Sequence, residues 1–152
     1  MKNTKLAGII NKLKLYFGNP FDYRLKPPEI LDVLIATKLS QSTTDKSSFK
    51  AYKNLKEKYS DWEEVSNSGL NDLKECIKVC GLANTKARNI KKMLLEMRKN
   101  YGNLDLTFIR KFSNEEIYKE FFLYDRIGTK ATSCAIVFAV ERDAFPIDTH
   151  VH

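Results

Sequence analysis

The residue types best suited to chemistry lie near the C-terminal end of the sequence. Lys130 and Asp148 stand eighteen positions apart. An amine is a nucleophile once it is neutral. Lys130 falls in the first turn of a helix expected from about Thr129. The helix dipole disfavours a cation there and eases loss of its proton. One helix and one loop separate Lys130 from Asp148, so the chain can fold back and set a carboxylate beside the amine. A carboxylate so placed can take up a proton or stabilise developing positive charge. Immediately before Lys130, the short break Leu123–Gly128 joins two helical segments, 114–122 and 129–140. Such a hairpin directs backbone N–H groups outward and, with the dipole, favours a phosphate. On the residues alone, plainer readings stand beside these: an antiparallel helix pair, a solvated surface lysine and an N-capping aspartate.

The elements that must position these residues read as helices throughout. Six glycines and four prolines in 152 residues leave long periodic segments with short breaks, and no alternating run demands a sheet. The spacing of Leu6, Ile9, Ile10, Leu13 and Phe17 predicts an amphipathic first helix, ended by Gly18-Asn19-Pro20. Segment 29–40 is apolar on most sides and reads as buried. Thr43 or Thr44 caps a helix reaching about Tyr59. Ser60–Glu63 reads as a capping box. Helices follow over 70–80, closed by Gly81, and from Asn84 or Thr85 to about Tyr101. Ser113–Glu116 forms a second capping box. Asp148-Thr149 then resembles the cap of a helix of which only a few residues follow, as if the sequence were cut within an element.

Apolar residues at 43% and charged residues at 30% describe a globular chain rather than a disordered one. A net charge of +7 favours a polyanionic partner, nucleic acid first. No apolar run approaches the ~18 residues of a membrane-spanning helix. Three cysteines at unhelpful spacings argue against a disulfide framework and fit a reducing compartment. Cys76, Cys80 and Cys134 read as small buried residues.

Four segments together resemble the endonuclease III branch of the helix–hairpin–helix DNA glycosylases, with archaeal-type members the most alike. These are Leu39–Asp45 (LSQSTTD), Gly81–Ala87 (GLANTKA), the run from Lys130 (KATSCAIVFA) and Ala144–His152 (AFPIDTHVH). The resemblance covers most of 28–152. It implies an all-α helix–hairpin–helix glycosylase fold. A six-helix-barrel-like lobe would span 28–141, and the N-terminal helix with its linker, 1–27, would belong to an incomplete second lobe. Residues 142–152 would begin the missing part and carry the Asp motif. It further implies a base excision glycosylase with abasic-site lyase activity, acting on duplex DNA that holds an abasic site or a damaged base, with pyrimidines the expected substrates. The base would be rotated out of the stack to be reached. Lys130 would form the Schiff base and Asp148 would be the essential carboxylate. Leu82 and His150 match residues that wedge into the duplex and fill the vacated space, and Gln41 or Ser42 lies where a third gap-filler occurs. Hairpin residues Arg126, Ile127, Gly128 and Thr129 would meet the DNA backbone, as would Lys86 and Arg88 near the Leu82 loop.

Three departures from the family pattern carry their own expectations. The usual hairpin L-P-G-[VI]-G is here Leu123–Gly128 without its proline and first glycine. Arg126 therefore incurs strain if that position needs positive φ, and Asp125 adds negative charge beside the phosphate site. The four-cysteine iron–sulfur segment frequent in the family does not occur, so no cofactor is expected in this chain. The helices that would follow Asp148 do not occur either, so a further C-terminal segment or a partner chain would complete the second lobe. Other readings remain: a purine-lesion or mismatch glycosylase, a helix–hairpin–helix DNA-binding module without catalysis, or a basic scaffold for RNA or protein. A cytoplasmic, nucleoid-associated location would follow from the first reading.

Overall fold

The computed structural model describes residues 4–18 and 26–148, and these are helical and irregular with no strand. Thr149, His150 and their neighbours lie outside the described residues. Helix α1 (Thr4–Phe17) buries none of its residues. Its expected stripe is present and exposed: Leu6, Ile9, Ile10 and Leu13 keep about half their surface in solvent.

The core is built on α2 (Ile30–Ser40). Ile30, Leu31, Val33, Leu34, Ile35 and Leu39 are all buried. A helix apolar nearly all round is stable only when other elements enclose it. Here α3 (Asp45–Lys58) and α8 (Thr129–Ala135) pack directly on it. The cap of α3 is Thr44, whose side chain accepts from the Ser47 N–H. Helix α4 (Trp62–Asn67) begins one residue later than the sequence suggests. Asp61 rather than Ser60 is its cap, accepting from the Glu64 N–H at 2.7 Å, and Glu64 reaches back to the Ser60 N–H. Either residue satisfies the same orphan donors, so composition cannot choose between them. Trp62 donates from Nε1 to Asp32 at 3.1 Å and ties α4 to α2.

Helix α5 (Leu70–Ile77) runs into a 3-10 turn, Lys78–Cys80, closed by Gly81 at φ 68°. Helix α6 (Ala83–Tyr101) is the longest and packs Ile90, Met93, Leu94 and Met97 into the core. It starts one or two residues ahead of the expected Asn84 or Thr85, because Leu82 takes a left-handed conformation that a leucine gives no reason to expect. A 3-10 turn at Thr107–Lys111 leads to α7 (Asn114–Phe121). Its capping box forms as expected: Ser113 accepts from the Glu116 N–H, and Glu116 accepts from the Ser113 N–H at 2.7 Å.

Helices α7 and α8 flank the hairpin. Tyr118 and Ser133 share a 2.6 Å hydrogen bond across them. Helix α8 continues as a π turn, Ile136–Val140, ending at Glu141 in left-handed geometry. The N–H groups of Glu141 and Arg142 both return to the Ile136 carbonyl, closing the helix and reversing the chain. Leu34 is fully buried in the shared core. Leu34→Ala is expected to lower unfolding free energy by about 2–5 kcal/mol in urea titrations, the range for a leucine cavity.

Candidate functional site

The segment after Glu141 is held by side chains that grip backbone. Arg142 donates to the Phe112 and Arg110 carbonyls, Arg110 donates to the Ala139 carbonyl, and Asn114 donates to the Asp143 carbonyl at 3.0 Å. These bonds turn the strand-like stretch back along α8. Its end brings Asp148 against Lys130, the second residue of α8, in a direct hydrogen-bonded ion pair. Both side chains keep about 40% of their surface exposed, so a reactant can approach the pair from solvent.

One turn further along α8, Cys134 feels both charges. Burial raises its thiol pKa, and the Lys130 ammonium partly opposes that shift. Cys134 lies on the wall of a cavity of about 580 Å³ between α2, α3 and the end of α8. Asp32, Thr37, Ser40, Phe49, Tyr52 and Phe138 also line it. The Tyr52 phenol is pushed well above its ordinary range, first by burial and then by the Asp32 carboxylate. The cavity therefore lies one turn of α8 from Lys130 and has a largely aromatic and apolar wall that also carries the Asp32 carboxylate and Lys26. This wall comes from three helices, and sequence spacing alone does not assemble it.

In the hairpin, the Ile127 N–H donates to the Tyr124 carbonyl at 3.2 Å, and Arg126 has φ 61°. The strain expected at the lost glycine is therefore present, of order 1–2 kcal/mol for a side chain in that region. Asp125 pairs with Lys92 at 3.4 Å and with Arg126 at 3.9 Å, which offsets the negative charge expected to weaken an anion site. Gly128 and Thr129 are exposed. Gly128 has φ −101° and a Cβ there would meet nothing within 4 Å, so the protein's own packing does not require glycine. Ile127 departs from expectation. Its side chain is buried and its N–H is spent inside the turn, so it supports the hairpin and presents nothing outward.

A second correction concerns Lys86. It is 5% exposed, and its ammonium donates to the Leu39 carbonyl at 2.8 Å and the Cys80 carbonyl at 2.9 Å. It is not available to a phosphate. Instead it joins the end of α2 to the turn before Leu82, fixing two loops side by side. Those loops carry Gln41, Ser42 and Leu82, all exposed. Arg88 is exposed as well. Among the described residues, four other than glycine have positive φ: Ser42, Leu82, Arg126 and Glu141. Three of the four are candidate contact residues. Backbone strain of about 1–3 kcal/mol per residue persists where surrounding structure enforces it, commonly at functional sites.

A further residue, Lys38 on α2, was not singled out by the sequence, although it interrupts an apolar helix. It is 3% exposed and its Nζ donates to the Arg126 carbonyl at 3.1 Å and, at longer range, to the Asp125 carbonyl at 3.5 Å. Among the described residues no three His, Cys, Asp or Glu side chains converge to hold a metal. Of the three cysteines expected to be buried, Cys80 is, with its thiol spent on the Ile77 carbonyl, whereas Cys76 and Cys134 are partly exposed. No described helix is long and apolar enough to cross a membrane.

With this geometry in view, comparison with known proteins is informative. Residues 35–152 match the HhH-GPD superfamily of base excision DNA repair proteins, and the chain belongs to that superfamily. Within it, the similarity runs to the endonuclease III branch. The chain is 28% identical over 128 residues to endonuclease III of Sulfolobus acidocaldarius, covering 83% of itself and 55% of that protein. It is 35% identical over 122 residues to a putative DNA glycosylase of Arabidopsis thaliana, covering 80% of itself and 42% of that protein. The chain thus spans about half the length of these relatives. A solved structure of a trapped endonuclease III–DNA covalent intermediate superposes with a TM-score of 0.72 at 26% identity, over 99% of this chain and 66% of that one.

Burial draws the Lys38 ammonium from 10.5 down to about 8, with the Asp125 carboxylate opposing and the Arg126 guanidinium adding to the shift. Below pH 8 the folded and unfolded chains both hold this proton. Above it the folded chain has released the proton while the unfolded chain keeps it to about 10.5, so stability rises with pH through that window. The stability of the wild-type chain relative to Lys38→Met is expected to increase between pH 8 and 10 by an amount on the order of 1–2 kcal/mol, read from urea unfolding at each pH.

Proposed function

We propose that the protein is a base excision DNA glycosylase with abasic-site lyase activity, acting on damaged pyrimidines in duplex DNA. The observation that carries this reading is the half-exposed Lys130–Asp148 contact, one turn of α8 from Cys134 on the wall of a cavity whose size, about 580 Å³, suits an extruded base. The target base leaves the stack and enters the cavity. The Lys130 amine, its proton given up to Asp148 or water, bonds to the sugar C1′. The base departs with the electron pair of the glycosidic bond and takes a proton. Asp148, across from the developing oxocarbenium-like charge, stabilises it. Opening of the sugar ring gives an imine between Lys130 and C1′. Loss of a C2′ proton then expels the 3′ phosphate by β-elimination, and water releases the lysine.

The remaining residues bind and distort the duplex. Leu82, held outward in strained backbone, is suited to wedge between bases, and Gln41 and Ser42 beside it to occupy the space left by the extruded nucleotide. His150 joins them by resemblance alone. The open face of Gly128, followed by the first-turn N–H groups of α8 that have no intrahelical acceptor, suits close approach of a DNA phosphate. Arg126 and Arg88 add exposed positive charge on the approach. The endonuclease III–DNA complexes among the similar structures support duplex DNA as the partner.

On a duplex with one abasic site, the chain is expected to nick the strand 3′ of the site. Asp148→Asn should slow release of a damaged pyrimidine by roughly 10²-fold or more, and Lys130→Ala should abolish nicking while leaving binding to the abasic duplex intact. Gel analysis of the products checks both. Binding without nicking by the wild type would favour a non-catalytic DNA-binding module.

A further inference from the structure

Lys38 is a buried cation that the proposed reaction does not use. Its contacts lie on one short stretch of backbone. The Ile127 N–H is held by the Tyr124 carbonyl at 3.2 Å, and the Arg126 carbonyl, on the opposite edge of the same peptide unit, is held by Lys38 at 3.1 Å. With both edges of that peptide fixed, Arg126 is confined to φ 61°, a conformation that glycine adopts freely and arginine does not. The Asp125 carbonyl is drawn toward the same ammonium at 3.5 Å. In a trans peptide the C=O and N–H point to opposite sides, so this turns the Arg126 N–H away from Lys38. Gly128 and the start of α8, with Lys130, follow directly.

We propose that Lys38 is a positioning residue for DNA binding: from beneath the hairpin it holds the turn in the shape a glycine would take unaided, so that the hairpin N–H groups and the start of α8 face a DNA phosphate. This rests on the reading of the hairpin as a DNA-contacting element. Lys38 acts through the hairpin and touches no substrate itself, since it is 3% exposed. It serves a sequence in which arginine stands where the turn favours glycine. The clamp and the strained arginine are therefore coupled, and relief of the strain should remove the need for the clamp.

The test is a double-mutant cycle with the wild type, Lys38→Met, Arg126→Gly and the combined variant. Affinity is read by fluorescence anisotropy on a duplex containing one tetrahydrofuran abasic analogue, and folding by far-UV circular dichroism. Lys38→Met is expected to weaken binding about tenfold when Arg126 is present and by less than about twofold when position 126 is glycine. Equal affinity of wild type and Lys38→Met overturns the proposal. So does an equal loss in both backgrounds, which would mean a general packing role. If the wild type itself shows no preference for the abasic duplex, the DNA reading fails first and the proposal falls with it. If Lys38→Met does not fold, Lys38→Leu, which likewise removes the donor, replaces it in the same cycle. Failure of that variant to fold would mean that Lys38 holds the core rather than the hairpin, and the proposal would be overturned.

Discussion

Lys130 and Asp148 can meet only if the chain between them reverses direction, and much of the architecture enforces that reversal. Helix α8 packs on the buried α2, which fixes the lysine end. The π turn and the left-handed Glu141 redirect the chain; Asn114 holds the returning segment by the Asp143 carbonyl, Arg142 within that segment grips the Phe112 and Arg110 carbonyls, and Arg110 holds the Ala139 carbonyl of the π turn. An amine and a carboxylate held together at a half-exposed position, beside a cavity with an apolar wall, are the minimum that covalent attack at a sugar carbon requires.

A second theme is the use of buried lysines as struts. Placing an ammonium in a core is costly unless hydrogen bonds satisfy it. Lys38 and Lys86 each meet that condition with two backbone carbonyls, both from the distant hairpin for Lys38, and one from distant α2 and one from the turn six residues back for Lys86. Each strut lies under backbone in an unfavourable conformation: Arg126 above Lys38, and Ser42 and Leu82 flanking the two carbonyls held by Lys86. Strain at an exposed loop relaxes unless neighbouring structure opposes it. These lysines provide that opposition, and the strained residues are those suited to contact a duplex.

The helical class, the bounds of α7 with its capping box, the apolar α2, the strain at Arg126 and the return of Asp148 to Lys130 were all legible in the sequence. Periodicity, capping chemistry and chain length between two residues govern these features and can be read along the chain, except the strain at Arg126, which was expected only from the resemblance to the family's hairpin pattern. The roles of Lys86 and Ile127 were not legible. Lys86 sits near a loop of contact residues, which suggested a phosphate partner, but its real acceptor at Leu39 lies 47 positions away. Ile127 falls in the hairpin, yet a β-turn hydrogen bond consumes its N–H. Lys38 gave a signal, a charge within an apolar helix, whose meaning depends on carbonyls 87 and 88 positions distant. The early start of α6 depends on left-handed backbone at a leucine, which residue type does not announce.

In the proposed reaction Lys130 forms a covalent imine with an abasic sugar. Borohydride reduction in the presence of a duplex with one abasic site, followed by mass spectrometry of the linked peptide, tests it most directly. A DNA adduct mapped to Lys130 and absent from Lys130→Ala is the predicted result. An adduct on another residue, or none from a folded chain that binds the duplex, would contradict the account.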